Sequence, residues 1–152
     1  MQNTAPVYSI ADEQRARVES AAWARFTAPA DAQELYAGWL ALTAARIERA
    51  RAAILLTREP DSQTFTVAAA WPDARRDLKY LGTAAQQVLE RREGVVAGTG
   101  GDATPAADGA AHVGYPIDVG GQLQAAVVFD IGPGALAGLQ EALRQIHWGS
   151  AW

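Results

Sequence analysis

The sequence predicts an α+β fold, an antiparallel sheet with helices packed on its faces, and two observations carry that expectation. The first is the stretch from His112 to Ile131, HVGYPIDVGGQLQAAVVFDI, where Gly120-Gly121 separates two runs rich in β-branched and aromatic residues. Glycine accepts positive φ at both central positions, as a tight two-residue hairpin turn needs. The second is the succession of periodicities along the chain: helix, helix, strand, strand, helix, strand, hairpin, helix. If the glycine pair sets the register, Val119 faces Gln122, Tyr115 faces Ala126 and Val113 faces Val128. One hairpin face then carries Val113, Tyr115, Ile117, Val119, Ala126 and Val128. The other carries His112, Leu123, Ala125, Val127, Phe129 and Ile131. Both are largely apolar, so the hairpin is expected inside a sheet covered on both sides.

The remaining elements follow in order. Ser9, with Asp12 three residues on, resembles a capping box, and Ala11, Val18, Ala22 and Phe26 recur at helical spacing over residues 9–25. Pro29 breaks this helix. Asp31 starts a second one, with Glu34 three residues later and a stripe through Leu35, Trp39 and Leu42 that should end near Ala50. Ala53–Thr57 reads as a buried strand and Pro60-Asp61-Ser62 as a turn. Phe65, Val67, Ala69 and Trp71 alternate with Thr66, Ala68 and Ala70, which predicts a strand pairing with the one before. Leu78, Leu81, Ala85, Val88 and Leu89 define a third helix, weakened by Gly82 and ended at Arg91-Arg92-Glu93-Gly94. Val95–Ala97 is a brief strand. Residues 98–111, GTGGDATPAADGAA, are small and glycine-rich and predict an exposed, mobile loop. After the hairpin, Leu136, Leu139, Leu143 and Ile146 form a heptad-like seam on a last helix, which Trp148 and Trp152 follow.

Composition narrows the function. The 152 residues suffice for one domain, 1–152, and a net charge of −4 argues against a nucleic-acid surface. Lys79 is the only lysine among 13 basic residues. Arg46, Arg49, Arg91 and Arg92 cluster at helix ends, where cations favour the negative end of the helix dipole. With no cysteine, disulfides, thiolate metal sites and thiol nucleophiles are excluded. The stretch MQNTAPVYSIADEQ lacks the charged-then-apolar layout of a signal peptide, and no apolar run approaches the roughly 20 residues of a membrane-spanning helix.

Little catalytic chemistry is visible. The only histidines are His112 and His147. No HxxxH or HExxH spacing supports a metal site, Gly98-Thr-Gly-Gly lacks the GK[ST] of a phosphate loop, and Ser150 is not in a nucleophile elbow. No metal and no cofactor is expected. Trp71-Pro72-Asp73, followed by Arg75-Arg76-Asp77, has the character of a pocket rim or of an ordinary strand-to-helix turn.

At the hairpin, YPIDVGGQLQAAVVFDI resembles the C-terminal signature of GAF domains: Pro116-Ile117, Gly121 and the Val127–Phe129 run match, while Ala125 stands where many members have glycine. The resemblance implies a GAF-like antiparallel central sheet. Cyclic-nucleotide-binding members carry a longer, helix-bearing segment where this chain has residues 98–111, which disfavours that ligand. Bilin-binding and methionine-sulfoxide-reducing members rely on cysteine and are excluded. Trp23–Asp31 (WARFTAPAD), Ala68–Leu78 and Leu143–Trp152 further resemble the N-terminal GAF-like region of bacterial HlyD-type membrane-fusion (secretion or efflux adaptor) proteins. That resemblance implies a cytoplasmic N-terminal segment of a longer chain, with the membrane tether downstream.

The expectation is therefore a non-enzymatic sensory, regulatory or scaffold domain. Any small-molecule ligand would sit in a cavity lined by Trp71, Asp73, Arg76, His112 and Tyr115. The competing expectation is a small enzyme or binder built on His112, Asp73 and Tyr115. A homodimer is also expected, through helices 9–25 and 135–148 with Leu136, Leu139, Leu143, Ile146 and Trp148 at the interface.

Overall fold

The computed structural model describes residues 10–28, 30–73, 77–98, 110–133, 141 and 144–147. Ser9, Arg76, segment 99–109, Leu136, Leu139, Leu143, Trp148 and Trp152, to which the sequence assigns roles, lie outside the described residues. Two helices, α1 (Ile10–Thr27) and α2 (Ala32–Arg46), lead into strands β1 (Ala50–Arg58) and β2 (Phe65–Trp71). A 3₁₀ turn at Lys79–Leu81 then feeds α3 (Gly82–Arg91), followed by β3 (Val95–Gly98), β4 (Ala111–Val119) and β5 (Gln122–Ile131).

Local chemistry fixes the start of α2. Asp31 caps it by accepting a hydrogen bond from the Glu34 amide at 2.9 Å, and the Glu34 carboxylate accepts from the Ala30 amide at 2.8 Å. The helix stops at Arg46, short of the Ala50 boundary that periodicity suggests. Ile47 turns extended and Arg49 takes a positive φ of 65°. The sheet is the reason: β1 begins at Ala50, three residues earlier than expected, because Ala50 pairs with Ile131 and the Gly132 amide donates to Arg49 O at 2.9 Å. Arg49 therefore lies beyond the helix, with its guanidinium on Pro133 O at 2.6 Å. Gly82, expected to weaken α3, instead opens it. Arg92, at φ 54° and ψ 38°, closes α3 in the left-handed position that Gly94 would have suited.

The strands form a five-stranded antiparallel sheet in the order β2-β1-β5-β4-β3. As the apolar character of both hairpin faces predicts, β5 lies at the centre and is covered on both sides. One face packs Leu55, Val113, Val127, Phe129 and Ile131 against Leu40, Ala44 and Ile47, with Ile146 of the final helical segment in the same core. The other packs Ile54 and Val128 against Leu78, Leu81, Ala84 and Ala85. Val88 of α3 sits so close to β4 that a Cβ on Gly114 would fall 2.4 Å from Val88 Cγ2.

The glycine turn has the expected pairing, Val119 with Gln122, and φ is positive at both glycines, 60° and 79°. Beyond it the register is corrected by one residue. Ile117 pairs with Ala125 and Asp118 with Leu123, so Gln124 is an extra residue on β5. Tyr115 consequently opposes Val127, not Ala126, and Val113 opposes Phe129, not Val128. The bulge sends Val127, Phe129 and Ile131 to the face of Val113, and brings Asp130 to the face of His112. A second bulge, at Ala68, corrects the predicted alternation of β2. Ala69 and Trp71 oppose Leu55 and Ala53, whereas Val67 and Phe65 oppose Leu56 and Arg58 on the α3 face. A third, at Arg51, lies between the Ala50–Ile131 and Ala52–Asp130 pairs.

Val127 tests the two-sided sheet, since it is fully buried in β5 between Leu55 and Tyr115. Val127→Asp would bury an unpaired carboxylate at a cost of roughly 4 kcal/mol or more, close to the whole stability of a small domain. The variant should show no cooperative thermal transition by circular dichroism. Melting near the wild-type temperature would place Val127 at the surface.

Candidate functional site

The register of β4 on β5 makes His112 and Asp130 direct cross-strand partners on the α3 face. Their side chains are nearly enclosed, at 6% and 8% exposure. Asp130 has both oxygens engaged. Oδ1 accepts from Arg51 Nη2 at 2.8 Å and Oδ2 from the Tyr80 hydroxyl at 2.8 Å. Each contact depends on a local departure from regularity. The β1 bulge places Arg51 opposite the end of β5, and the 3₁₀ turn before α3 carries Tyr80 over the strand. His112 Nε2 lies 3.9 Å from Asp130 Oδ1, an electrostatic neighbour beyond hydrogen-bonding range. The Tyr80 ring lies against the imidazole, with centroids 5.6 Å apart.

Burial pushes the His112 pKa below its ordinary value of 6.5, the Asp130 carboxylate pulls it up, the Arg51 guanidinium pushes it down, and the balance is downward. The imidazole is therefore neutral at pH 7, able to donate one hydrogen bond and accept another. Arg51 and Tyr80 are about half exposed and form the solvent side of the cluster. A carboxylate satisfied on both oxygens is a fixed hub and a poor general base.

On the same face, α3 packs chiefly over β3, β4 and β5. The β1–β2 part of the face is left open beside it as a groove of about 360 Å³. Leu56, Val67 and Ala70 form its floor, Leu78 and Leu89 its wall, and Lys79 is also in its lining.

The described residues among those singled out by sequence do not converge. Trp71 packs against the core on the α2 face, and Asp73 is exposed just past β2. Tyr115 also faces α2, where its hydroxyl hydrogen-bonds His147 Nδ1 and the two rings meet edge-on with centroids 5.1 Å apart. His112 points to the α3 side, away from Tyr115, because residues an odd number apart on a strand face opposite ways. Ile146, expected at a dimer interface, is instead fully buried against the α2 face of the sheet, where it covers the core of its own chain. Among the described residues, no three His, Asp or Glu side chains gather as a metal site would require. Sequence reasoning did not bring Arg51 and Tyr80 into the site. Spacing carries no trace of them, although a lone acid, Asp130, inside an apolar strand was a usable signal.

No family model matches the chain, and no curated protein does. Among solved structures, it is similar to the crystal structure of the A. aeolicus nlh2 GAF domain in an inactive state. That likeness has a TM-score of 0.63, covers 91% of each chain and comes with 14% sequence identity. The fold is thus GAF-like, a five-stranded antiparallel sheet with helices on both faces.

Because the His112 pKa is lowered on folding, the unfolded chain binds the proton more readily. Stability contributed by the neutral imidazole is complete above its ordinary value of 6.5 and is lost as pH falls towards the depressed value. Urea unfolding at pH 7.5 and pH 5.5 should show the wild type weaker at the lower pH. His112→Gln should reduce that difference; an unchanged difference would remove His112 from the account.

Proposed function

We propose that this chain is a non-enzymatic sensory or regulatory domain that binds a small molecule in the groove between the β1–β2 hairpin and α3. The open apolar groove carries the reading: it has the size and lining of a small-molecule site, and a fixed polar cluster stands on the same sheet face. The enzymatic alternative needs His112, Asp73 and Tyr115 to act on one substrate. Against it stands the alternation of β4, which directs His112 and Tyr115 to opposite sides of the sheet, while acid–base partners must work within hydrogen-bond reach or through one water.

We further propose that the domain acts as one module of a secretion or efflux adaptor, on the cytoplasmic side of a membrane. This context is supported by the resemblance of Trp23–Asp31, Ala68–Leu78 and Leu143–Trp152 to HlyD-type proteins. No helix among the described residues is long and apolar enough to cross a bilayer.

Homodimerisation belongs to the same proposal, and α1 supports it. Ile10 and Val18 are 77% and 62% exposed on a helix whose first three turns are solvent-facing throughout. A second copy offers the same surface and would cover both by two-fold symmetry.

Two measurements check these readings. Indole, a neutral apolar probe, should shift amide NMR signals of β1, β2 and α3, and Val67→Asp should abolish the response without unfolding the domain. Shifts confined to other elements, or none at millimolar indole, would refute the groove. Light scattering should give twice the 16.1 kDa monomer mass, and Val18→Glu should halve it with helix content unchanged. A monomeric wild type at several hundred micromolar would end the dimer proposal.

A further inference from the structure

Cover of the α3 face stops at Ile54, which is buried beneath the 3₁₀ turn and α3. Further along, the β1–β2 hairpin presents two cross-strand pairs on that face, Leu56 with Val67 and Arg58 with Phe65. Val67 is 57% exposed because the Ala68 bulge turns it onto this face, out of the α2-side core. A second hollow of about 410 Å³ lies at the turn end of the sheet, where Arg58, Phe65 and Arg92 line it. Leu89 of α3 lines both hollows. The two meet at Leu89 and together make a furrow, mainly apolar at its start, where Asp77, Lys79 and Gln86 are also in the lining, and basic at its end.

The basic end is held in place. Arg58 Nε donates to Ser62 O at 2.6 Å. Arg92 Nη2 donates to Asp118 Oδ1 at 2.9 Å and to Gly121 O at 3.2 Å. Each guanidinium is thus tethered through one nitrogen and retains further N–H donors. Among the described residues lining this hollow there are two arginines and no carboxylate. Arg58, engaged through Nε alone, can give a planar carboxylate two parallel hydrogen bonds from its terminal nitrogens, and Arg92 can add single ones from Nη1 or Nε. From Ile54 to Arg58 the strand rises roughly 13 Å, so the occupant is elongated.

We propose that the furrow binds an amphipathic carboxylate, its apolar body along Leu56, Val67 and Leu89 and its headgroup between Arg58 and Arg92. The proposal rests on the reading of the groove as a ligand site and names the ligand class. Charge complementarity at one end and uncovered apolar side chains at the other select this occupant over a neutral ligand or an anion without an apolar body.

The test is an NMR titration of the full chain with octanoate, hexanoate and 1-octanol. Octanoate should bind at least tenfold more tightly than 1-octanol, and about tenfold more tightly than hexanoate, since each methylene adds apolar burial. Arg58→Gln and Arg92→Gln should each weaken octanoate at least fivefold and leave 1-octanol unchanged. Arg58 makes no ion pair among the described contacts, so Arg58→Gln keeps the test sound even where loss of the Arg92–Asp118 pair perturbs the turn. Equal affinity for octanoate and 1-octanol, or indifference of octanoate to Arg58→Gln, overturns the carboxylate assignment. If indole still maps to the groove in that case, the ligand-site reading stands alone. If indole and octanoate both fail to bind, both readings fall.

Discussion

The structure depends on one strand that has no free side. β5 is hydrogen-bonded to β1 along one edge and to β4 along the other, and helices cover both of its faces. Val127, Val128, Phe129 and Ile131 are fully buried in succession, so the strand contributes to both cores. Each such side chain is worth roughly 1.5–3 kcal/mol of burial, an upper estimate because unfolded chains already hide some of that surface. A carboxylate in this setting must be satisfied completely. Asp130 is, with Arg51 on one oxygen and Tyr80 on the other.

That constraint explains why irregularities gather where the polar chemistry lies. A regular ladder has room for apolar pairs on both faces and none for a buried charge. The bulge at Gln124 rotates Asp130 to the His112 side, and the bulge at Arg51 supplies its counter-ion from the neighbouring strand. Breaking such a pair leaves an uncompensated charge, which costs far more than the pair itself contributes. The cluster therefore fixes how the 3₁₀ turn sits over the sheet, through Tyr80. The groove that begins at Leu78 and Lys79 takes its shape from the same turn.

The third bulge has the opposite effect and creates an opening. Had β2 kept strict alternation, Val67 would lie with Ala69 and Trp71 in the α2-side core. The extra residue at Ala68 moves it to the α3 side, where α3 reaches Ile54 but leaves Val67 largely exposed. Close packing of α3 on β4, enforced by Val88 against the Cβ-free Gly114, draws the helix towards the other half of the sheet. The furrow is the consequence of a helix committed to one half and a hairpin face left to the other.

Much of this was legible in the sequence, and the limit has a physical cause. The start of α2, the glycine turn, the pairing of the first two strands and the need for cover on both faces are properties of neighbouring residues, so local chemistry determines them. Asp31 with Glu34 and Gly120 with Gly121 are sufficient on their own. Register beyond a bulge is different, because one extra residue exchanges the faces of everything that follows. Whether a strand takes that extra residue is decided by the partner strands and by which packing buries Phe129 and satisfies Asp130. For the same reason the cluster of Arg51, Tyr80, His112 and Asp130 could not be read in advance, since its members meet only when β1, β5, β4 and the turn before α3 are assembled. Sequence alone determined that there is a two-sided sheet with a buried hairpin. Tertiary packing decided which side chains share each side, and with that where any ligand could bind.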